Sequence, residues 1–238
     1  MTQRIGFERE LTQLKNKVTE MGECALVSYE KLLAAVRDKN TELMMTLQDS
    51  DREMIDMLRS IEAGCLLLMT RQQPVVAGDL RFVTAVLKIV TELERTGDHA
   101  GEIAELYLRR RADGTAAEQS PRGAGGEAPY QEKKADEVLL EMLQGATEML
   151  REVMTAFREE KKQLAEEAIA GDDVIDGLFN QVKELLMDAM KKQEPDPDEV
   201  VDALMIAKYL EKVGDHAVNI GRWTIFRLTG EIEGREIY

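Results

Sequence analysis

The sequence predicts an all-α protein of two tandem, pseudo-symmetric antiparallel three-helix bundles, with six long helices in total. Three observations predict this fold. Apolar residues recur in steps of three and four along most of the chain, which is the spacing of a helix with one buried face. The composition, with 44% hydrophobic but only 5% aromatic residues, suits helices packed on helices. A short acidic pattern also occurs twice, at matching places in the two halves, as expected for a duplicated domain.

The first half, residues 1–111, is predicted to form one three-helix bundle. Each of its helices carries an apolar stripe. Pro74 separates the second helix from the third, because proline cannot continue a helix. The stripes are Phe7, Leu11, Leu14, Val18, Met21 and Ala25; Leu43, Leu47, Met54, Met57, Ile61 and Leu68; and Leu80, Val83, Leu87 and Val90.

Residues 112–130 are rich in Gly, Ala and Pro and lack periodicity, so we expect an exposed, mobile linker there. Residues 131–230 are predicted to form the second bundle, followed by a polar tail at 231–238. Its helices are expected at roughly 131–159, 161–192 and 197–229. Asp196 and Pro197 give the last helix the best-defined start in the chain, as an N-cap followed by proline at the first helical position.

The charge and the motifs exclude several classes of function. The chain has 31 Lys and Arg against 46 Asp and Glu, a net charge of −15, which disfavours binding to nucleic acid or to an anionic membrane. There is no Gly-x-Ser-x-Gly or P-loop motif and there are only two histidines, so we expect a protein that is not an enzyme. The N-terminus lacks a signal-peptide core, and the longest apolar run, Cys65–Met69, is too short to span a bilayer. A cytoplasmic location is therefore expected.

The repeated pattern places acids on the buried faces of two helices. Glu94 and Asp98 lie in the third predicted helix, and Glu211 and Asp215 lie at the same spacing in the sixth. Each Glu falls on the apolar stripe, and each Asp lies one turn further along the same face. Buried carboxylates need compensating charge. Because neighbours in sequence point about 100° apart around a helix, Lys212 is expected to pair poorly with Glu211, and a bound cation is the better candidate.

The middle helix of each half supplies further acids. In the second half, Asp172 and Asp176 repeat the four-residue spacing. In the first half, Asp51 matches Asp172, but Ile55 stands where a second acid would match Asp176. Each half is thus predicted to hold a carboxylate cluster, the first being smaller. Oxygen ligands favour hard cations such as Mg, Ca or Mn, or iron, over a structural zinc site of Cys and His.

Two alternatives to metal binding compete for these acids. In one, the carboxylates are solvated or paired with basic residues, and the chain is a metal-free helical adaptor. In the second, the chain is a carboxylate-bridged oxidase or metal store, but the Glu-x-x-His signature of such bundles is absent, because Gly97 and Gly214 occupy the histidine positions. His99 and His216 directly follow the second acids and face elsewhere on their helices, so packing or hydrogen bonding is expected of them.

At these residues the sequence resembles the PhoU family, regulators associated with phosphate-specific ABC transporters. The resemblance lies in LKIVTELERTGDHAGEIAE and LEKVGDHAVNIGR, the acidic motifs of the two halves, and in MGECALVSYEKLL and QQPVVAGDLR. It covers essentially the whole chain in the same order.

The resemblance implies two three-helix bundles and, in some members, multinuclear iron or zinc clusters. Carried over by position, the metal ligands are Glu94, Asp98, Glu211, Asp215, Asp172, Asp176 and Asp51. Ile55 departs from the pattern, so full occupancy is not expected of the first cluster. The bound metal is left open among iron, zinc, manganese and magnesium.

The resemblance also implies a role. Such proteins act by binding, between the ATPase subunit of a phosphate transporter and a membrane sensor histidine kinase, and they damp the phosphate-starvation response when phosphate is ample. A homodimer is the default expectation, and any contact with the membrane is expected to come through these partners.

Overall fold

The computed structural model describes residues 2–47, 51–71, 76–118, 130–192, 196–232 and 235–236. Over these residues the chain forms eight helices and a hairpin of two-residue strands: α1 Thr2–Arg37, α2 Thr41–Met45, α3 Asp51–Arg71, α4 Ala77–Glu118, α5 Tyr130–Glu159, α6 Lys162–Ala170, α7 Asp172–Lys191, α8 Pro197–Thr229, β1 Glu231–Ile232 and β2 Arg235–Glu236. The predicted all-α class is confirmed. Six helices are long, and the short helices α2 and α6 each precede the middle helix of one half.

The helices pack as two groups of three that also contact each other. In the first half α1, α3 and α4 contact one another, and in the second half α5, α7 and α8 do the same. The halves meet where α4 packs on α8 and α1 packs on α5. Since α4 and α8 hold matching places in the two halves, as do α1 and α5, the interface between the halves is itself pseudo-twofold symmetric.

The long helices are amphipathic. Along α4, for example, Val86, Ile89 and Leu93 are fully buried while Lys88 is exposed. Burial of such stripes supplies most of the stability of a helical bundle. Among the described residues, no helix is both long enough and apolar enough to cross a membrane.

The second predicted helix, with its stripe from Leu43 to Leu68, is divided between α2 and α3. Two further helix boundaries differ from the sequence-based expectation, and the first is the end of α4. It ends at Glu118, beyond the predicted end at residue 111. Alanines 112, 116 and 117 favour continuation, because alanine has the highest helix propensity. The remainder of the expected linker, residues 119–129, lies outside the described residues, and the division of the chain into domains stays a prediction.

The second difference is a break in the middle helix of the second half, predicted as one helix over 161–192. It divides at Gly171 into α6 and α7. The N–H of Gly171 donates to the Ala168 carbonyl at 3.1 Å, and the N–H of Val174 donates to the Gly171 carbonyl at 3.1 Å. These three-residue bonds tighten the turn locally. As a result, Asp172 is the first residue of α7, beside α8.

The start of α8 agrees with the prediction. Asp196 is its N-cap and accepts a hydrogen bond from the Asp198 N–H at 3.0 Å, with Pro197 at the first helical position. The helix ends at Gly230, whose φ of 85° is a left-handed conformation that glycine adopts without strain. These two ends fix the register of the helix that carries Glu211 and Asp215.

Candidate metal centre

The second half brings carboxylates from two helices together. Asp172 and Asp176 lie at the start of α7, and Glu211 and Asp215 lie on α8. Burial raises the pKa of Asp172 from 3.8 to about 6, and the neighbouring charges of Asp176, Asp215, Glu211 and Asp173 act in the same direction. Like charges shift a carboxyl pKa upward only at close range. The four residues predicted as ligands in this half therefore form one acidic cluster.

Gly214 makes this close approach possible. A Cβ atom at that position would lie 2.8 Å from Oδ1 of Asp172 and 3.5 Å from Cγ2 of Ile175. The smaller of these distances is below what real Cβ contacts tolerate, so a larger residue would force α7 or the carboxylate away. The glycine between Glu211 and Asp215 thus lets Asp172 lie against the backbone of α8.

Asp172 is the carboxylate of this cluster whose buried oxygen has no hydrogen-bond partner among the described residues. Its Oδ1 atom is buried, and within the described part of the chain no group donates a hydrogen bond to it. A buried carboxylate oxygen without a donor is costly. Protonation or a bound cation would relieve that cost, and the raised pKa reflects the first of these outcomes.

Two lysines already neutralise part of the cluster. The Lys208 Nζ atom is 2.5 Å from Oε2 of Glu211, and the Lys212 Nζ atom is 3.4 Å from the same oxygen. Lys212 also donates a hydrogen bond to Asp215. The prediction that Lys212 pairs poorly with Glu211 is therefore wrong, because the long lysine side chain bends back across the angle between neighbouring positions.

The geometry with these lysines in place is not that of a formed metal site. Across the described residues, no three carboxylate, imidazole or thiolate groups are placed to hold one ion together. The donor set of Asp172, Asp176, Glu211 and Asp215 fits a hard cation in chemistry and in charge. To complete such a site, Lys208 and Lys212 would have to swing out to solvent, where both are already partly exposed.

The first half assembles less of the predicted site. Glu94 and Asp98 are half-buried on α4. Burial raises the pKa of Asp98, and the nearby charges that act on it come from its own helix, where His99 lowers the pKa and Glu102 raises it. Asp51 begins α3, but its side chain lies outside the described residues.

The glycine of the first half has the same apolar neighbour as that of the second. Gly97 matches Gly214, and a Cβ atom there would lie 3.0 Å from Cγ of Met54, the residue that matches Ile175. Ile55, at the position of Asp176, is half-buried. Because the side chain of Asp51 lies outside the described residues, the smaller first cluster and its ligands stay a prediction.

The two histidines lie at the interface between the halves, a location that the sequence analysis did not predict, and they make packing and hydrogen-bonding contacts there. The rings of His99 and His216 stack at 5.4 Å between centroids. The Nδ1 atom of His216 is 2.6 Å from Oε2 of Glu92, and that of His99 is 2.7 Å from Oε2 of Glu102. The His99 ring also lies 5.1 Å from the Tyr209 ring.

The sequence analysis did not predict these contacts of His99 and His216, although the repeat pairs the residues that make two of them. His99 and His216 occupy matching positions of the two repeats, and so do Glu92 and Tyr209. The contact of His216 with Glu92 is therefore the pseudo-symmetric counterpart of the contact of His99 with Tyr209. Residues that contact their own counterparts lie on the pseudo-twofold axis, and only the packing of the halves shows which residues these are.

Comparisons with known proteins show similarity along both halves of the chain. The family model described as the PhoU domain matches residues 18–107 and again 139–224. A protein from Clostridium acetobutylicum, named as a phosphate-specific transport system accessory protein PhoU homolog, is 29% identical over 231 residues, or 97% of each chain. A PhoU homolog from Methanothermobacter thermautotrophicus is 30% identical over 228 residues, or 96% of each chain.

Two solved structures are similar to this fold. PhoU from Pseudomonas aeruginosa superposes with a TM-score of 0.83 at 24% identity, over 94% of this chain and 100% of the other. The regulatory protein PhoU from Streptococcus pneumoniae superposes with a TM-score of 0.74 at 25% identity, over 95% of this chain and 98% of the other. The domain match covers both repeats and includes Glu94, Asp98, Asp172, Glu211 and Asp215. The chain therefore belongs to the PhoU family.

Proposed function

We propose that this protein regulates phosphate uptake and the phosphate-starvation response from the cytoplasm. Its partners are the ATPase subunit of a phosphate ABC transporter and a sensor histidine kinase, and it acts by binding them, not by catalytic turnover. The similarity to accessory proteins of phosphate-specific transport along nearly the whole chain supports this role. A homodimer is the expected assembly.

We also propose that the acidic cluster between α7 and α8 holds a metal ion. The observation that carries this proposal is the buried Oδ1 atom of Asp172, which has no hydrogen-bond donor among the described residues. The negative charges of Glu211 and Asp215 also act on this carboxylate and raise its pKa. Asp172, Asp176, Glu211 and Asp215 would be the ligands. An all-oxygen set is compatible with magnesium, manganese or iron, and zinc is implied by the family resemblance.

The first half would hold a second, smaller site. Glu94 and Asp98 supply two carboxylates from α4, and Asp51 begins the helix that packs beside them. Because Ile55 offers no ligand, the first site has one acid fewer than the second. We expect it to bind metal more weakly, since affinity for hard cations rises with the number of charged ligands.

One observation favours a metal-free helical adaptor as the second candidate. Lys208 and Lys212 form ion pairs with Glu211 and Asp215. The ammonium groups of these lysines therefore already neutralise two of the four proposed metal ligands. In that case the acids are a structural salt-bridge network, and the regulatory role depends on protein contacts alone.

The regulatory role is tested by purifying the tagged chain from its own host grown with ample or scarce phosphate. We expect the transporter ATPase subunit and a sensor kinase to co-purify from phosphate-replete cells, and the tag alone to recover neither. A folded chain that recovers neither protein in either medium would contradict the proposed role.

The metal proposal is tested separately, by elemental analysis of untagged protein. Wild-type protein is expected to contain bound metal that is lost in the Glu94→Ala/Glu211→Ala double variant, with the helical circular dichroism signal unchanged. Wild-type protein that binds no metal after dialysis against iron, zinc, manganese or magnesium would leave the metal-free adaptor as the account of the acids.

A further inference from the structure

The tip of the α7–α8 hairpin exposes an apolar surface that the bundle does not use. Five large apolar side chains on it are 37% to 56% exposed. They are Met187, Met190, Val201, Leu204 and Met205. An exposed apolar cluster of this kind marks an interaction surface more often than isolated apolar residues do.

Helix geometry places these residues on one face. The Nζ atom of Lys208 lies 5.4 Å above the Phe179 ring, which fixes the antiparallel register of α7 against α8. Counting along α7 from Phe179 in helical steps leads to Met187 and Met190, and counting back along α8 from Lys208 leads to Leu204 and Val201. We call the surface formed by these two stripes the α7–α8 face.

The same face carries the acidic cluster at its other end. Counting in the opposite direction from Phe179 leads to Asp176 and Asp172, and from Lys208 to Glu211 and Asp215. Lys183, Lys208 and Lys212 compensate only part of this charge, because Asp172, Asp173 and Asp176 add to the two acids on α8. The face is therefore apolar at the hairpin tip and negatively charged towards the helix break, on a chain of net charge −15.

We infer that the α7–α8 face, when no metal ion occupies the acidic cluster, binds a basic amphipathic helix of a partner protein. Apolar residues of that helix, spaced by three and four, contact the exposed Met, Val and Leu side chains, and its Lys or Arg residues contact the carboxylates at the other end. Methionine suits such a surface, since its unbranched side chain adapts to different partners. The stretch from Asp172 to Met190 is about 27 Å long, which accommodates about five turns of helix.

Charge complementarity distinguishes this occupant from the alternatives. A second copy of the chain would bring the same excess of carboxylates to the contact, so neither face would neutralise the other. An anionic membrane surface would be repelled for the same reason. The proposed role requires protein partners, and this inference rests on that role and adds the chemistry of one contact to it.

The first half provides a matched control. At the positions of Val201 and Met205, α4 has Thr84 and Lys88, and the Lys88 ammonium lies 5.9 Å from the Trp223 ring of α8. Leu66 and Leu67 are 59% and 47% exposed at the end of α3, without a methionine-rich stripe beside them on α4. Substitutions there change exposed apolar area without touching the α7–α8 face.

The test uses the full chain, freed of metal with a chelator and carbon-13 labelled at its 13 methionine methyl groups. The probe is a helical peptide of about 18 residues with leucine on one face and lysine on the other, and its counterpart with glutamate in place of lysine is the control. Titration of the lysine peptide is expected to shift the signals of Met187, Met190 and Met205. Met45, which is 58% exposed on α2, is expected not to move.

Substitution sharpens the test. Met187→Ser/Val201→Ser is expected to weaken peptide binding by about tenfold or more, while Leu66→Ser/Leu67→Ser leaves it unchanged. Equal shifts at Met45, equal binding of the glutamate peptide, or no binding at all would each overturn the inference. So would concentration-dependent shifts without peptide, because a second copy would then cover the face. None of these outcomes bears on the co-purification that tests the regulatory role.

Discussion

The two repeats carry the same acidic motif on their last long helix, but the middle helices that pack against that motif differ in their acids. Gly97 on α4 and Gly214 on α8 occupy matching positions, each between a Glu and an Asp. Met54 contacts Gly97, and its counterpart Ile175 contacts Gly214 together with the Asp172 carboxylate. The middle helices differ one position further along, where α3 has Ile55 and α7 has Asp176. The sequence of the middle helix therefore sets how many acids each half can offer to the motif on its long helix.

The largest expected effect is a difference in Mn²⁺ affinity between variants of the acidic motif on α8 and variants of the motif on α4. Glu211→Gln/Asp215→Asn removes two of four clustered carboxylates, and we expect it to weaken binding of Mn²⁺ by at least about 100-fold. The matched variant Glu94→Gln/Asp98→Asn is expected to leave this strongest site intact. Isothermal titration calorimetry on the metal-free proteins measures both. Equal losses in the two variants would remove the distinction between the halves.

A gain of binding in the first half is the second test. Ile55→Asp supplies the acid that the first half lacks, opposite Glu94 and Asp98, and we expect Mn²⁺ affinity of that half to rise by about tenfold. The substitution places a charge at a half-buried position, so a loss of about 1 kcal/mol in unfolding free energy is expected.

The measurement is made in the background of Glu211→Gln/Asp215→Asn, where the second-half site is weakened. Leu58→Asp, one turn further along α3 and also half-buried, is the control for added charge. If Ile55→Asp and Leu58→Asp raise Mn²⁺ affinity equally, any added charge on α3 has the same effect, and position 55 is not a ligand position equivalent to Asp176.

The third test concerns the lysines, which have no lysine counterparts in the first half, where Thr91 and Arg95 stand at their positions. Partly exposed ion pairs contribute at most about 1 kcal/mol, so Lys208→Gln/Lys212→Gln is expected to raise Mn²⁺ affinity by roughly fivefold. Lys183→Gln, on the same face but bonded to Asn180, is the control. Unchanged affinity in the double variant would indicate that the lysines do not compete for the carboxylates.

The smallest expected effect is on stability without metal. The folded chain raises the pKa of Asp172 from 3.8 to about 6, so the folded state binds this proton more tightly than the unfolded state. The ionised Asp172 carboxylate therefore lowers the free energy of unfolding, and this cost is fully present above about pH 6 and declines as the pH falls towards 4. Asp172→Asn removes the charge, and with it the cost, at high pH.

In the presence of a chelator we expect Asp172→Asn to raise the unfolding midpoint by roughly 2 °C at pH 8, because solvent screens part of the repulsion. At pH 4 the difference is expected to vanish. Asp173→Asn, beside it in sequence, is the control and is expected to change the midpoint less at either pH. A stabilisation by Asp172→Asn that is the same at both pH values would contradict the electrostatic origin of the effect.

The sequence predicted the long helices and the repeat because these depend on local periodicity. It also predicted that Asp172 and Asp176 share one face of their helix and that Glu211 and Asp215 share one face of theirs, because both pairs are four residues apart. The break at Gly171 was not predictable, since a glycine is tolerated within an amphipathic helix. The pairing of Lys212 with Glu211 depends on side-chain conformation, and the histidine stack depends on how the halves pack, neither of which periodicity describes.

The stacked histidines bear on the origin of the molecule. A position on a twofold axis meets an identical position, so in an ancestor of one repeat that paired with a second copy, each histidine would have faced itself, and any substitution there would have acted on both sides at once. In a chain that contains both repeats, each side of the axis can change by itself. His216 contacts Glu92, whereas His99 contacts Tyr209, so the two matching contacts differ in chemistry.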